Sequence, residues 1–203
     1  RNGAGKTTTL RTIMGLWHAS KGSIHFGGKD ITAMNTPAIA GMNIAYVPEN
    51  MGIFADLTVK ENMLLAARSA RNAAQMDEAR LQWIFKLFPA VEKFWNHPAG
   101  KLSGGQKQMV AVSRAIVEPR DLLIVDEPSK GLAPAIINNM IDAFDQLKKS
   151  GVTILLVEQN INFAKRLGDT VAVMDNGQVV HAGSMAALAQ DEELQRSLLG
   201  LAL

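Results

Sequence analysis

A short apolar run that ends in two carboxylates is the feature that most constrains the fold of this chain. Leu122–Val125 is entirely aliphatic and is followed directly by Asp126 and Glu127. Such a run is typical of a strand buried on both faces, as in parallel sheets. Open α/β sheets bind ligands at the carboxyl ends of their strands, so both carboxylates are predicted to lie at a ligand site. Asp126 and Glu127 are predicted to be adjacent on the strand, so that their side chains point to opposite faces and can take separate roles.

A glycine turn that opens a helix precedes this strand. Ser103 and Gln106 have the spacing of a capping box, with Gly104 and Gly105 between them. A helix start leaves backbone N–H groups available and carries partial positive charge, which suits phosphate. Alone, a Ser-Gly-Gly turn is usually an ordinary loop and Asp-Glu an ordinary strand end. Found together, they favour a phosphate site.

The first residues of the chain match the inside of a phosphate-binding loop. Gly5, Lys6 and Thr7 complete the pattern G-x-x-x-x-G-K-[ST], whose first Gly would precede Arg1, so the chain is expected to be a fragment lacking that Gly and the preceding strand. Backbone N–H groups would surround phosphate oxygens, Lys6 would add positive charge, and the Thr7 hydroxyl can coordinate Mg²⁺. The predicted nucleotide-binding residues here are Asn2, Gly3, Ala4, Gly5, Lys6, Thr7 and Thr8.

Strands that alternate with helices predict an α/β fold with a mainly parallel sheet. Together, the LSGGQ stretch at 102–106, the strand ending in Asp-Glu and the early Gly-Lys-Thr-Thr resemble the nucleotide-binding subunits of ABC transporters, from Arg1 to about Gly183. The resemblance implies a P-loop NTPase core that hydrolyses ATP with Mg²⁺. It also implies one domain over 1–203 without its N-terminal strands. Within this domain, a mostly helical insert over 57–100 extends to about 117 through the helix that follows the family's signature, LSGGQ at 102–106. The remaining core with the C-terminal helices occupies 118–203.

The resemblance also implies roles for individual residues. Asp126 would belong to the Mg²⁺ shell, and Glu127 would orient and activate the attacking water. Glu49 stands where most relatives carry a Gln that contacts Mg²⁺, and Gln159 stands where a His usually senses the γ-phosphate. By this resemblance, Glu49 is predicted to contact the metal and Gln159 to be a catalytic residue. Ala133 replaces an Asp that helps many relatives to communicate across their dimer.

The partners implied by the resemblance are those of a membrane transporter. A second ATP-binding subunit, favoured to be a sister subunit, would pair head to tail, so that Ser103, Gly104, Gly105 and Gln106 of each subunit serve the ATP held by the other. Two transmembrane permease subunits and, indirectly, an extracytoplasmic solute-binding protein would complete the assembly. The subunit would lie in the cytoplasm, on the inner face of the cell membrane. The apolar side chains of the loop Met51–Leu57 are either buried against the rest of the domain or exposed as a contact for a helix of a partner.

Composition argues against other functions. The 203 residues carry a net charge of +2 with both signs interspersed, which does not indicate a nucleic-acid binder. The longest uncharged apolar-rich stretch, residues 36–47, is too short to span a membrane. The chain has no cysteine, which fits a reducing compartment.

Three short segments indicate a branch of the family. Val-Pro-Glu at 47–49, Gly-Leu-Ala-Pro at 131–134 and Val-Glu-Gln-Asn at 157–160 are similar to the ATPase subunits of branched-chain amino-acid importers and their urea or amide relatives. The prediction is an ATPase that powers import of such solutes. Two alternatives stay open: a soluble ABC ATPase that acts on ribosomes or nucleic acid, and an inactive fragment.

Overall fold

The computed structural model describes residues 3–68, 70, 72 and 75–199. This part of the chain divides into two compact units, one of residues 40–156 and one that joins the residues up to 39 with those from 157. In chain order the elements are α1 (Lys6–Ile13), β1 (His25–Phe26), β2 (Lys29–Asp30), α2 (Thr36–Ala40), β3 (Ile44–Val47), α3 (Val59–Ala66), α4 (Glu78–Leu87), α5 (Pro89–Lys93), a 3₁₀ turn (Ala99–Lys101), α6 (Gly104–Ala115), β4 (Leu122–Asp126), α7 (Pro134–Lys149), β5 (Thr153–Val157), α8 (Ile161–Leu167), β6 (Thr170–Asp175), β7 (Gln178–Ser184), α9 (Met185–Gln190) and α10 (Glu192–Leu199).

A sheet with the strand order β3-β4-β5 forms the centre of the 40–156 unit. β3 runs parallel to β4, with Ile44 opposite Leu122 and Val47 opposite Val125. Leu123, Ile124 and Val125 are fully buried, as expected for a parallel strand covered on both faces. Since parallel neighbours end at the same edge, the residues that follow Val47 and those that follow Val125 emerge side by side.

The second unit contains the β6–β7 hairpin predicted from Asn176-Gly177. Both residues have positive φ angles, 46° and 77°, which a type I′ turn requires and which Asn-Gly adopts readily. The sequence of Gly22–Phe26 predicts a strand, but β1 is shorter, because only His25 and Phe26 pair with β2. Gly22 has a φ of +83°, which takes the chain out of the extended conformation before the strand begins.

Helix starts follow the capping signals of the sequence. Thr58 and Glu61 form a complete capping box, in which the Thr58 hydroxyl accepts from the Glu61 N–H at 3.2 Å and the Thr58 N–H donates to Glu61 Oε2 at 2.8 Å. The Glu61 carboxylate accepts hydrogen bonds from the Thr58 N–H and, at 2.7 Å, from the Thr58 hydroxyl, and these two bonds lower the pKa of that carboxyl. The sequence predicts that the helix opened by this capping box runs through about Ser69. α3 ends earlier, at Ala66, and Ser69 lies outside the described residues.

A buried amide fixes the loop that precedes α3. Asn62 is fully buried, and its Oδ1 accepts the Phe54 N–H at 2.9 Å. Its Nδ2 donates to the carbonyls of Phe54 at 2.9 Å and Thr58 at 3.0 Å, with a longer contact to Leu57 at 3.4 Å. One side chain thus bonds backbone groups at both ends of the 54–58 segment and provides the acceptor for the Phe54 N–H.

Within the described ranges, no helix combines the length with the apolar character that crossing a bilayer requires.

Candidate active site

The predicted phosphate loop leads directly into α1. Gly3 and Gly5 have φ angles of +75° and +91°, which favour glycine, and Ala4 between them is buried. Gly5 is the N-cap of α1, and among the described residues no side chain caps this helix. Lys6, Thr7 and Thr8 form its first turn, where backbone N–H groups and the helix dipole suit an anion. The predicted contact Asn2 lies outside the described residues.

The turn of the β6–β7 hairpin supports this loop. The Gly177 N–H donates to the Ala4 carbonyl at 3.1 Å. A Cβ atom on Gly5 would lie 3.2 Å from Gly177 Cα, so the two backbones meet at a distance that a larger residue at position 5 would not tolerate. The sequence does not predict this contact, since nothing in either glycine segment points to the other.

A cavity of about 200 Å³ in the same unit brings Lys6 and Gln159 together. Glu158 also lines it, and the Glu158 carboxylate accepts the backbone N–H groups of Gln159 at 3.1 Å and Asn160 at 3.0 Å. Glu158 therefore shapes the turn after β5 that presents Gln159. The next residue, Asn160, caps α8 through its side chain.

The two carboxylates after the central strand differ in position. Asp126 is the last residue of β4 and is only 1% exposed. Glu127 lies beyond the strand in the left-handed region, with a φ of +49°, and its side chain is 9% exposed. The expectation that both residues stand on the strand is therefore wrong, because the chain turns at Glu127. The direction of the Glu127 side chain is therefore set by this turn, whose backbone conformation is uncommon for a residue other than Gly.

A lysine in the following turn joins carboxylates from two strands. The Lys130 ammonium hydrogen-bonds Glu49 Oε1, and it lies 3.9 Å from Glu127 Oε2. The hydrogen bond to Glu49 and the charge of that carboxylate raise the pKa of Lys130. Glu49 and Glu127 are predicted site residues, whereas the role of Lys130 was not predicted. Its spacing of three residues from Glu127 was the available clue.

The signature turn caps α6 as predicted. The Ser103 hydroxyl accepts the Gln106 N–H at 3.3 Å, and Gln106 Oε1 accepts the Ser103 N–H at 2.9 Å. The capping box is confirmed. Gln106 therefore has a structural task, whatever it contributes to a ligand.

The two signature glycines stand in different surroundings, which predicts different effects of the same substitution. A Cβ on Gly105 would lie 2.7 Å from Ile136 Cγ2, whereas a Cβ on Gly104 would meet no described atom within 4 Å. Ile136 lies near the start of α7, and a β-branched side chain in a helix has little freedom to move aside. We expect Gly105→Ala to lower the free energy of unfolding by about 1–3 kcal/mol. We expect Gly104→Ala to leave it unchanged or slightly raised. Urea denaturation measures both, and equal losses would contradict this account.

The C-terminal part of α6 holds the loop that follows Glu49. Arg114 Nη1 donates to the Gly52 carbonyl at 2.6 Å, and its guanidinium lies 5.1 Å from the centre of the Phe54 ring. Partial burial lowers the pKa of Arg114. Phe54 is 49% exposed, while Met51, Ile53 and Leu57 are half-buried. The apolar side chains of this loop are therefore partly buried and partly exposed.

The predicted metal contacts fit Mg²⁺ by donor chemistry. The Thr7 hydroxyl and the carboxylates of Glu49 and Asp126 are hard oxygen donors. In the described part of the chain, no group of three or more acidic or histidine side chains forms a ready-made metal site. A site that completes its shell with water and phosphate oxygens around one or two carboxylates needs none.

Comparisons with known proteins agree with these features. The family profile described as "ABC transporter" matches residues 1–130. The high-affinity branched-chain amino acid transport ATP-binding protein BraG of Pseudomonas aeruginosa is 38% identical, over 98% of this chain and 84% of BraG. The Nod factor export ATP-binding protein I of Burkholderia lata is 33% identical, over 94% of this chain and 62% of that protein.

A solved structure extends the likeness to the fold. The ADP conformation of MJ1267, an ATP-binding cassette of an ABC transporter, is 26% identical and superposes with a TM-score of 0.78, covering 98% of this chain and 85% of that one. This likeness confirms the predicted α/β P-loop NTPase fold. The profile match covers more than half of the chain and includes the phosphate loop, the capped glycine turn and the Asp-Glu pair. The chain therefore belongs to the ABC transporter family and is one of its ATP-binding ATPases.

Proposed function

We propose that this chain is the subunit that binds and hydrolyses ATP to power import of branched-chain amino acids, or of related small polar solutes, through an ABC transporter. The similarity to BraG, which extends over 98% of this chain and 84% of that protein, is the main support. The Nod factor relative, by contrast, is matched over only 62% of its length.

The phosphate loop and the cavity beside it supply the first half of the proposed site. Glycine N–H groups and the first turn of α1 bind the β and γ phosphates, and Lys6 neutralises part of their charge. Gln159, which shares the cavity with Lys6, contacts the γ-phosphate by hydrogen bonding. Thr7, Asp126 and Glu49 would hold Mg²⁺, which offsets charge on the phosphates when bound.

Glu127 is the proposed base for the attacking water. A carboxylate that is 9% exposed has few competing waters, and the turn after β4 fixes its position. Asp126, more deeply buried at the end of the strand, takes the metal role. The two neighbouring carboxylates thus divide the chemistry between them.

The signature turn is proposed to serve a second molecule. Ser103, Gly104, Gly105 and Gln106 of one subunit would contact the ATP held in the phosphate loop of a sister subunit in a head-to-tail dimer. The space over Gly104 leaves room for such an approach. In this arrangement ATP prefers the closed dimer, and hydrolysis lets the subunits part.

The loop Met51–Leu57 is the proposed contact for the permease. Phe54 is 49% exposed at its centre, and Asn62 and Arg114 fix the backbone on either side. The assembly would contain two permease subunits and would place this chain on the inner face of the membrane. A solute-binding protein would deliver the solute outside.

Reconstitution tests the proposal. The full-length protein, its sister subunit, its permease and its solute-binding protein are placed in liposomes, and uptake of labelled leucine and of labelled urea is followed with and without ATP. We expect uptake of one of these solutes only with ATP, and its loss in Lys6→Ala. ATP-independent uptake, or co-purification with ribosomes or nucleic acid instead of a permease, would contradict the proposal.

A further inference from the structure

A cluster of three charged side chains lies where β3 and β4 end. Glu49 follows β3, and Glu127 and Lys130 follow β4. The register that sets Val47 opposite Val125 brings these turns to one edge of the sheet. Lys130 contacts both carboxylates, through the hydrogen bond to Glu49 and the 3.9 Å approach to Glu127.

The exposure of these side chains indicates that the cluster does little for the stability of the fold. Lys130 and Glu49 are 57% and 41% exposed, whereas Glu127 is 9% exposed. An exposed ion pair contributes little to folding because water and salt screen it. The ion pair has a larger effect on the binding of a charged ligand, since each uncompensated carboxylate at the site repels a polyanion.

We propose that Lys130 is a positioning residue that neutralises Glu49 and holds it against the turn after β4, so that the site accepts a triphosphate. The inference rests on the proposed function, which places Glu49 at the Mg²⁺ and γ-phosphate end of the nucleotide. Without Lys130, Glu49 would present an uncompensated negative charge to ATP. Lys130 is then needed for ATP binding only because residue 49 carries a carboxylate.

That dependence makes the proposal testable by a double-mutant cycle. The variants are Lys130→Met, Glu49→Gln and the two combined, each in the full-length protein assembled with its partner subunits. We expect Lys130→Met to raise the Kd for ATP about tenfold, which corresponds to about 1.4 kcal/mol. We expect the same substitution to change the Kd less than twofold once Glu49 is Gln. Lys130→Arg, which keeps the charge, should bind ATP within about twofold of the parent.

Equilibrium binding of a fluorescent ATP analogue in EDTA, and again with Mg²⁺, provides a readout besides activity. Because metal-free ATP carries more negative charge, we expect the loss in Lys130→Met to be larger in EDTA and to shrink at high ionic strength. Loss of a metal contact would show the opposite dependence on Mg²⁺. The melting temperature of Lys130→Met should stay within about 2 °C of the parent, as for other exposed pairs.

Two results would overturn the inference. One is an unchanged Kd in Lys130→Met, and the other is an equal loss with Glu49 and with Gln at position 49, since Lys130 would then act through something other than Glu49. Both differ from failure of the proposed function, which would appear in the parent protein as absence of ATP binding or hydrolysis. That last result would overturn both proposals.

Discussion

Glu127→Gln is expected to abolish most ATP hydrolysis while it leaves ATP binding intact. The substitution keeps the size of the side chain but removes its negative charge and its ability to take a proton from water. General-base catalysis contributes about 10²–10⁴-fold to a rate, so we expect hydrolysis to fall at least a hundredfold. Because the closed dimer would then lack its route to ADP, it should persist longer than in the parent. Phosphate release and the lifetime of the ATP-bound dimer measure these effects.

Asp145→Asn is the matched control for this variant. Asp145 also loses one carboxylate charge, but it lies on α7 and its ion pair is with Lys149 of the same helix, at 2.5 Å. We expect its hydrolysis rate to stay within about twofold of the parent, because exposed helix pairs are worth a fraction of a kcal/mol. If Glu127→Gln hydrolysed ATP as fast as Asp145→Asn, Glu127 could not be the base.

Asn62→Ala is expected to cause a large loss of stability although Asn62 lies outside the site. The variant removes the acceptor of the Phe54 N–H and one of two donors to each of the carbonyls of Phe54 and Thr58, around a fully buried side chain. Each buried polar group without a partner costs about 1–3 kcal/mol, and the missing volume adds to this. We expect the free energy of unfolding to fall by about 3 kcal/mol or more.

Asn139→Ala makes the same chemical change on an exposed position of α7. Alanine is the better helix former, so this variant should be as stable as the parent or about 0.5 kcal/mol more stable. Urea denaturation of the two variants separates the buried role from the substitution itself. Similar midpoints for both would mean that Asn62 does not hold the loop. If the loop contacts the permease as proposed, solute uptake per ATP should also fall in Asn62→Ala.

The local features of the structure could be predicted from the sequence because each depends only on residues that are close together in the chain. The capping box at Ser103 needs only two residues three apart, and the buried run at Leu122–Val125 follows from its composition. The Asn176-Gly177 hairpin follows from the φ angles that this pair accepts. These features are confirmed because nothing distant had to be known.

The features that escaped prediction depend on contacts between segments far apart in the sequence. Lys130 and Glu49 are 81 positions apart, and only the β3–β4 register brings them together. Gly5 and Gly177 meet through a hairpin turn that the phosphate-loop pattern does not mention. Glu127 lies past the strand end because the chain enters a left-handed conformation there, a detail that composition alone does not determine.

The bond between Arg114 and the Gly52 carbonyl ties the C-terminal part of α6 to the loop that contains Phe54. One end of this helix is the serine-glycine turn, and Arg114 is ten residues further on, about 15 Å along the axis. A tilt imposed at the first end must either move the segment that contains Phe54 or break a hydrogen bond and an aromatic contact together. In the proposed dimer, a partner that shifts the serine-glycine turn would therefore also displace the segment that contains Phe54.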